Sequence, residues 1–386
     1  MSARISCDVA IVGGGLAGGL IALALRRRRP DLDVRVIEGS AQLGGNHLWS
    51  FFATDIDPAH RWLVAPLIGH GWSRYDVAFP EHGRVLKARY YSIESSHFDR
   101  VLRRELPREA LLFGRKVVTA TPTSVQLNGG GLVEARGVID CRGADDLSLL
   151  ELGWQKFLGR ELALAEPHDL SHPIVMDATV PQLDGYRFVY TLPFTPTRLF
   201  VEDTYYSDTP DIDTAALGER IDLHADRHGW AVERVVREEA GALPVVMGGD
   251  FDAYWRSGGE GVAKAGTRAG LFHPLTSYSL PDAVRTATLV AEAPSIEGAA
   301  LHTLLHGHAR RTWRERGFYR MLSRMLFKAA EPEARYKVLE RFYRLDAALI
   351  ARFYAGQSTA WDKMRVLSGK PPVPIGRAVQ ALRGRT

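Results

Sequence analysis

Four apolar residues, Val9-Ala10-Ile11-Val12, run into Gly13-Gly14-Gly15-Leu16-Ala17-Gly18, and an apolar-rich stretch through Leu20, Ile21, Leu23, Ala24 and Leu25 follows. A short apolar run stopped by glycine predicts a buried strand, and the stretch behind it a helix. Asp33–Glu38 predicts a second strand. Ser96–Leu106 carries Phe98, Val101 and Leu102 at helical spacing, with Ser96 and Asp99 set as a capping box. Leu111–Leu127 is strand-like, and Asn128-Gly129-Gly130 predicts a hairpin turn into a strand over Leu132–Asp140. From Pro173 to Val246 aromatic and polar residues alternate, which predicts an antiparallel sheet. A glycine-led loop at Gly270 feeds a predicted helix over Asp282–Glu292, and a further amphipathic helix is predicted over Trp313–Lys328.

The order strand, glycine loop, helix, strand, acid is a dinucleotide-binding signature. Gly13 permits the tight turn, Gly15 lets the backbone approach a pyrophosphate, and Gly18 lets the helix pack on the strand. The helix N-terminus offers free N–H groups to the anion. Glu38 is placed to accept from ribose hydroxyls. Gly44-Gly45, the strand ending in Cys141-Arg142-Gly143, and the loop from Gly270 favour FAD over NAD. Contacts from such distant segments imply an α/β fold with a discontinuous Rossmann-type FAD-binding domain over 1–72, 95–155 and 250–305. An antiparallel β substrate domain is expected over 73–94 and 156–249, and a basic helical region over 306–386.

Composition removes several classes. The 386 residues are 46% hydrophobic and 24% charged, which is globular rather than disordered. Cys7 and Cys141 are too few for a disulfide framework or a thiolate zinc site and fit a reducing cytoplasm. The uncharged run Val9–Leu25 is glycine-rich and precedes rather than follows its basic cluster, unlike a signal peptide, and no other stretch reaches spanning length. No metal site is expected: His302, His306 and His308 share a helix without a supporting carboxylate or cysteine, and read better as solvated or capping histidines. A net charge of +4 is too small to argue for nucleic acid.

In the sheet, Arg198-Leu199-Phe200-Val201-Glu202-Asp203-Thr204-Tyr205-Tyr206 sets two acids in an otherwise apolar and aromatic strand. The period of two puts Glu202 and Asp203 on opposite faces, so one can enter a chamber while the other is solvated or ion-paired.

Several segments together resemble the bacterial lycopene β-cyclases: Gly13–Gly18, Gly44-Gly45-Asn46-His47-Leu48-Trp49-Ser50-Phe51, Phe200–Thr204, Gly270–Leu280 with His273 and Pro274, Phe318–Leu322 and Arg341–Leu345. The resemblance is collinear along essentially the whole chain. Leu48 and Ser277 stand where the family pattern has threonine and glycine; glycine at 277 implies close approach or an unusual backbone angle. The resemblance implies a redox-neutral isomerisation: an acid matching Glu202 protonates a lycopene end, and the resulting cation closes to a β-ionone ring. It also implies reduced FAD beside the cation, with NADPH as its reductant. Gly13, Gly15, Gly18, Glu38, Gly44, Gly45, His47, Gly270, His273 and Pro274 are the expected cofactor residues. Tyr205, Tyr190, Phe188 and Trp49 are candidates for facing the cation, each with core packing as the alternative.

A bilayer-dissolved substrate implies a peripheral, cytoplasmic enzyme at the membrane's inner face. Residues 301–386 hold 18 basic and 6 acidic side chains, net +12, leaving the first 300 at net −8. Phe318, Met321, Leu322, Met325 and Leu326 form one face of the Trp313–Lys328 helix, with Arg316, Arg320, Arg324 and Lys328 elsewhere on the wheel. That pattern fits an interfacial helix on anionic lipid or a core-packed helix with a basic outer face. Gly369–Pro374 is expected to end the helices. The competing functions are a flavin monooxygenase or polyene desaturase on the same fold, and a non-catalytic flavin-dependent membrane-binding protein.

Overall fold

A computed structural model describes residues 4–369, 376–377 and 380–381; the expected break at Gly369–Pro374 falls largely outside them. Two seven-stranded sheets and one of three strands make up the β-structure of these residues. In the first, Arg4–Val12 is central, and its second half, Val9–Val12, is apolar and buried on both faces. Val34–Ile37 pairs parallel on one side (Ile11 opposite Val36) and Leu132–Asp140 parallel on the other (Ile11 opposite Ile139). Ala263–Lys264 adds to Leu132–Asp140 in parallel. Helices Leu16–Arg28 and Leu280–Ala291 pack together over this sheet, and Leu20 to Leu25 are wholly buried.

The second sheet runs in the order Val232–Gly249, Leu150–Leu164, Arg198–Ser207, Tyr186–Thr195, Ile174–Asp177, Tyr75–Phe79, His82–Leu86. It is not wholly antiparallel, since Ile174–Asp177 pairs parallel with Tyr75–Phe79. One face carries Phe188, Tyr190, Phe200 and Tyr206 toward the first sheet and the C-terminal helices; the other packs Leu158, Val189 and Val201 under helix Thr214–Arg227. That helix lies inside the stretch predicted to be all sheet. Two expected bounds also shift. Leu150–Leu164 is one continuous strand, so a division at 155/156 cuts through it, and Tyr90–Glu94 pairs with Leu48–Phe52 and His70–Trp72 in the small sheet.

Helix Ser95–Glu105 starts after Glu94, so Ser96 and Asp99 form no capping box. Asp99 instead accepts from the Leu43 amide at 2.8 Å and pairs with Arg103, holding the Gly44-Gly45 loop in place.

The C-terminal region also departs from expectation. The predicted helix over 313–328 breaks at Arg316 into Gly298–Glu315 and Gly317–Lys328. Arg316 is buried, bonding Asp282 at 2.6 and 2.8 Å and the Phe272 carbonyl at 3.0 Å. Arg320 stacks on Trp313, 4.0 Å from its ring centre, and Arg324 bonds Glu151. Tyr319, Ser323, Leu326 and Phe327 face inward, with Phe327 seated where Gly153 has no side chain. These arginines therefore bind the helix to the protein and are not a basic face offered to lipid. Among the described residues no helix is long and apolar enough to cross a membrane.

Candidate active site

A cavity of about 1020 Å³ lies between the glycine loop and the inner face of the second sheet. Gly13 takes φ of +96°, and a side chain there would press on the Cys141 carbonyl at 3.0 Å. A methyl on Gly18 would collide with the Gly13 carbonyl, so only glycine lets the helix begin this close to the loop. Gly15, at the helix N-cap, faces open space within the cavity wall. Glu38 accepts from the Gly14 and Ser40 amides, both at 2.8 Å, which fixes its carboxylate at the cavity edge. The residues at this end fit a dinucleotide: a glycine loop at a helix N-terminus, an acid after the second strand, and Arg115, Lys116 and Arg142 lining the same wall.

Gly13, Gly15, Glu38, Gly44, Gly45 and His47 all line the cavity; Gly18, Gly270, His273 and Pro274 do not. The last three stand one layer behind the wall. The buried His273 ring receives the Leu275 and Thr276 amides at 3.3 and 3.4 Å, and burial pushes its pKa down to about 3, so it stays a neutral acceptor. The Pro274 carbonyl accepts from the Val246 amide at 2.8 Å. These contacts hold Thr276–Leu280 in the wall. Ser277 adopts φ of +57°, the left-handed conformation that glycine would favour, and its hydroxyl donates to the Pro244 carbonyl at 2.6 Å.

Glu202 projects from its strand into the apolar half of the cavity, beside Tyr190, its cross-strand neighbour, with Phe157, Phe188, Trp49, Met176 and Tyr206 also in the wall. Burial raises its pKa to about 8, reinforced by Glu239 and Asp203, against a 2.6 Å bond from the Thr204 hydroxyl. A pKa near 8 favours the protonated carboxyl at neutral pH. Asp203 points to the opposite face, where Arg187 grips it at 2.8 and 3.0 Å and the Tyr205 hydroxyl donates at 3.1 Å. Tyr205 accordingly lies away from the cavity, unlike Tyr190, Phe188 and Trp49.

Sequence reasoning missed Glu239, Tyr278 and Tyr354, which line the same cavity. Glu239 accepts from the Leu48 amide at 3.0 Å and meets His47 Nδ1 at 3.1 Å. Its only signal was a position in register with Glu202, visible once strands are paired. A chain of hydroxyls, Tyr90 to Tyr190 at 2.9 Å, Tyr190 to Ser50 at 2.7 Å and Ser50 to Ser92 at 2.7 Å, anchors the phenol next to Glu202.

Fold and cavity define an α/β protein whose glycine-loop end fits a dinucleotide and whose other end sets a buried acid against an apolar chamber. Solved structures with the same fold include a geranylgeranyl bacteriochlorophyll reductase-like protein of Thermoplasma acidophilum (TM-score 0.63, 13% identity, 98% of this chain and 99% of that one). Another is a probable FAD-dependent monooxygenase of Pseudomonas aeruginosa (TM-score 0.57, 18% identity, 86% and 98%). The family model described as lycopene cyclase protein matches residues 8–380. The lycopene beta-cyclase of Pantoea ananas is 46% identical over 376 residues, 97% of each chain. The chain belongs to the lycopene cyclase family, and with it to the intramolecular lyases.

Proposed function

We propose that the protein is a lycopene β-cyclase in which Glu202 is the general acid. The observation that carries this reading is a carboxyl held protonated at neutral pH in an aromatic-lined chamber. Glu202 gives its proton to C2 of a terminal double bond, leaving a tertiary cation at C1. The C5–C6 double bond attacks C1, charge moves to C5, and loss of the C6 proton completes the β-ring. Tyr190, Phe188 and Trp49 present ring faces or edges to this space; each face toward a cation contributes about 0.5–2 kcal/mol. The apolar walls exclude water that would trap the cation as an alcohol.

FAD fits the cavity. The Gly13–Gly18 loop and the helix N-terminus would hold its pyrophosphate, Glu38 its ribose, and the Gly44-Gly45 and Thr276–Leu280 walls its extended body. Held there in its reduced form, FAD would supply negative charge beside the cation with no net electron transfer, and NADPH would be its reductant. Lycopene given to the chemically reduced holoenzyme, without oxygen or nicotinamide, yields β-carotene; formation of product only with stoichiometric flavin oxidation overturns this reading in favour of a desaturase or monooxygenase.

A hydrocarbon of this length resides in a bilayer, so the enzyme works at the cytoplasmic face of a membrane. Helix Ala360–Leu367 supports that placement: Trp361, Met364 and Leu367 are 70%, 57% and 49% exposed, three residues apart on one face, with Lys363 and Arg365 on the same helix. Replacing Trp361 and Met364 by aspartate lowers sedimentation with anionic vesicles at least about tenfold, each buried aromatic or Met side chain being worth about 1.5–3 kcal/mol; unchanged sedimentation removes this helix from the account.

A further inference from the structure

Ring closure ends with a proton leaving C6, and the cavity contains a second carboxylate. Gly159 is the register partner of Glu202 on one side and of Glu239 on the other. Register partners share a face, so both acids project toward the cavity, two strand spacings, about 10 Å, apart at the backbone. Gly159 puts no side chain between them; the Phe200 ring lies over it and makes an apolar floor. The two acids sit in opposite surroundings. Glu202 has a single hydroxyl donor and apolar walls. Glu239 has the Leu48 amide, His47 Nδ1 and, at 3.6 Å, Arg237, all directed at its oxygens. The Glu239 side chain is 6% exposed and that of His47 is 57% exposed, so the pair leads from the cavity outward.

We propose that Glu239 is the base of the reaction: it takes the C6 proton after Glu202 has protonated C2, and His47 passes that proton to solvent. This rests on the cyclase reading above. The steps balance without an oxidant or reductant. The Glu202 O–H bond breaks as C2–H forms. The C5–C6 π pair makes the C1–C6 bond. The C6–H bond then breaks, its electron pair becomes the C5–C6 double bond, and the proton goes to Glu239. Glu202 is left ionised and Glu239 protonated, and exchange with solvent restores both.

A base in a fixed place selects the ring. The cation at C5 gives a β-ring by losing the C6 proton, an ε-ring by losing one at C4, and a γ-ring by losing one from the methyl on C5. The test uses Glu239→Gln holoenzyme in D₂O with reduced FAD and lycopene, with wild type alongside and flavin content checked by visible absorbance. The expected result is at least about a hundredfold fall in β-ring formation, with ε- or γ-rings appearing, or deuterium entering recovered lycopene at C2. A merely structural role would not redirect the product. β-Rings as sole product within threefold of the wild-type rate overturn the assignment, and so does loss of both product and exchange, which would place Glu239 before protonation. Absence of ring formation by wild type overturns the cyclase reading itself. Should Glu239→Gln fail to hold flavin, Glu239→Asp, which keeps the charge and shortens its reach, is judged by the ratio of ε- to β-rings: a raised ratio supports the base and an unchanged one overturns it.

Discussion

Glu202 and Asp203 are neighbours in the chain and face opposite ways, one into an aromatic cavity and the other into a two-point grip by Arg187. Removing each therefore has a different consequence. Glu202→Gln keeps the shape and removes the acid; ring formation falls at least about 10²–10⁴-fold while flavin binding and cooperative folding at pH 7 persist. Asp203→Asn leaves the buried Arg187 without its partner charge and costs about 3–5 kcal/mol of stability. Thermal melts and turnover per folded molecule separate the two.

The pH dependence follows from Glu202. In the unfolded chain its carboxyl ionises near 4.5, and in the folded protein near 8. Between those values the folded state binds more protons, so this group's contribution makes stability fall as pH rises through that window, and the loss levels off above about 8. In the proposed reaction, activity is expected to fall over the upper part of the same range, as Glu202 loses its proton. Denaturant titrations of wild type and Glu202→Gln from pH 5 to 9 should show their stability difference shifting in favour of the variant as pH rises; a constant difference contradicts the buried acid.

Gly13→Ala tests the cofactor loop. At φ of +96°, facing the Cys141 carbonyl, an added methyl meets both backbone strain and a close contact. Shifting the loop loses amide contacts worth about 1.5–3 kcal/mol for a charged acceptor, so flavin affinity should fall at least about tenfold. Fluorescence titration of the apoprotein with FAD measures it.

Arg316→Met tests the buried ion pair at the helix break. Asp282 would keep only Arg285. The buried acid then lacks its main partner, and stability should drop by about 3–5 kcal/mol. Sedimentation with anionic vesicles, measured on the folded fraction, should not change.

The glycine loop was legible because its mechanics are local: Gly13, Gly18 and Glu38 act within one strand–helix–strand unit. The opposed faces of Glu202 and Asp203 were legible for the same reason, from a period of two. The unusual backbone at Ser277 was foreshadowed by the resemblance, not by its own residue type. What stayed hidden depends on pairing across the chain. Glu239 becomes a neighbour of Glu202 only through Gly159, and Arg316 belongs to Asp282 rather than to a solvated helix face. Helical periodicity over 313–328 was real, but a wheel cannot tell a buried ion pair from a surface charge. His273, expected to touch the cofactor, stands instead behind the wall, where it accepts from the Leu275 and Thr276 amides.

In the proposed reaction Glu202 delivers a solvent-exchangeable proton without net oxidation. Reduced holoenzyme incubated with lycopene in D₂O, without oxygen, tests it most directly, with the deuterium in the product located by NMR. The expected product is β-carotene carrying one deuterium at C2 of each ring formed, with none from Glu202→Gln. β-Rings without deuterium at C2, or undiminished rings from that variant, would contradict it.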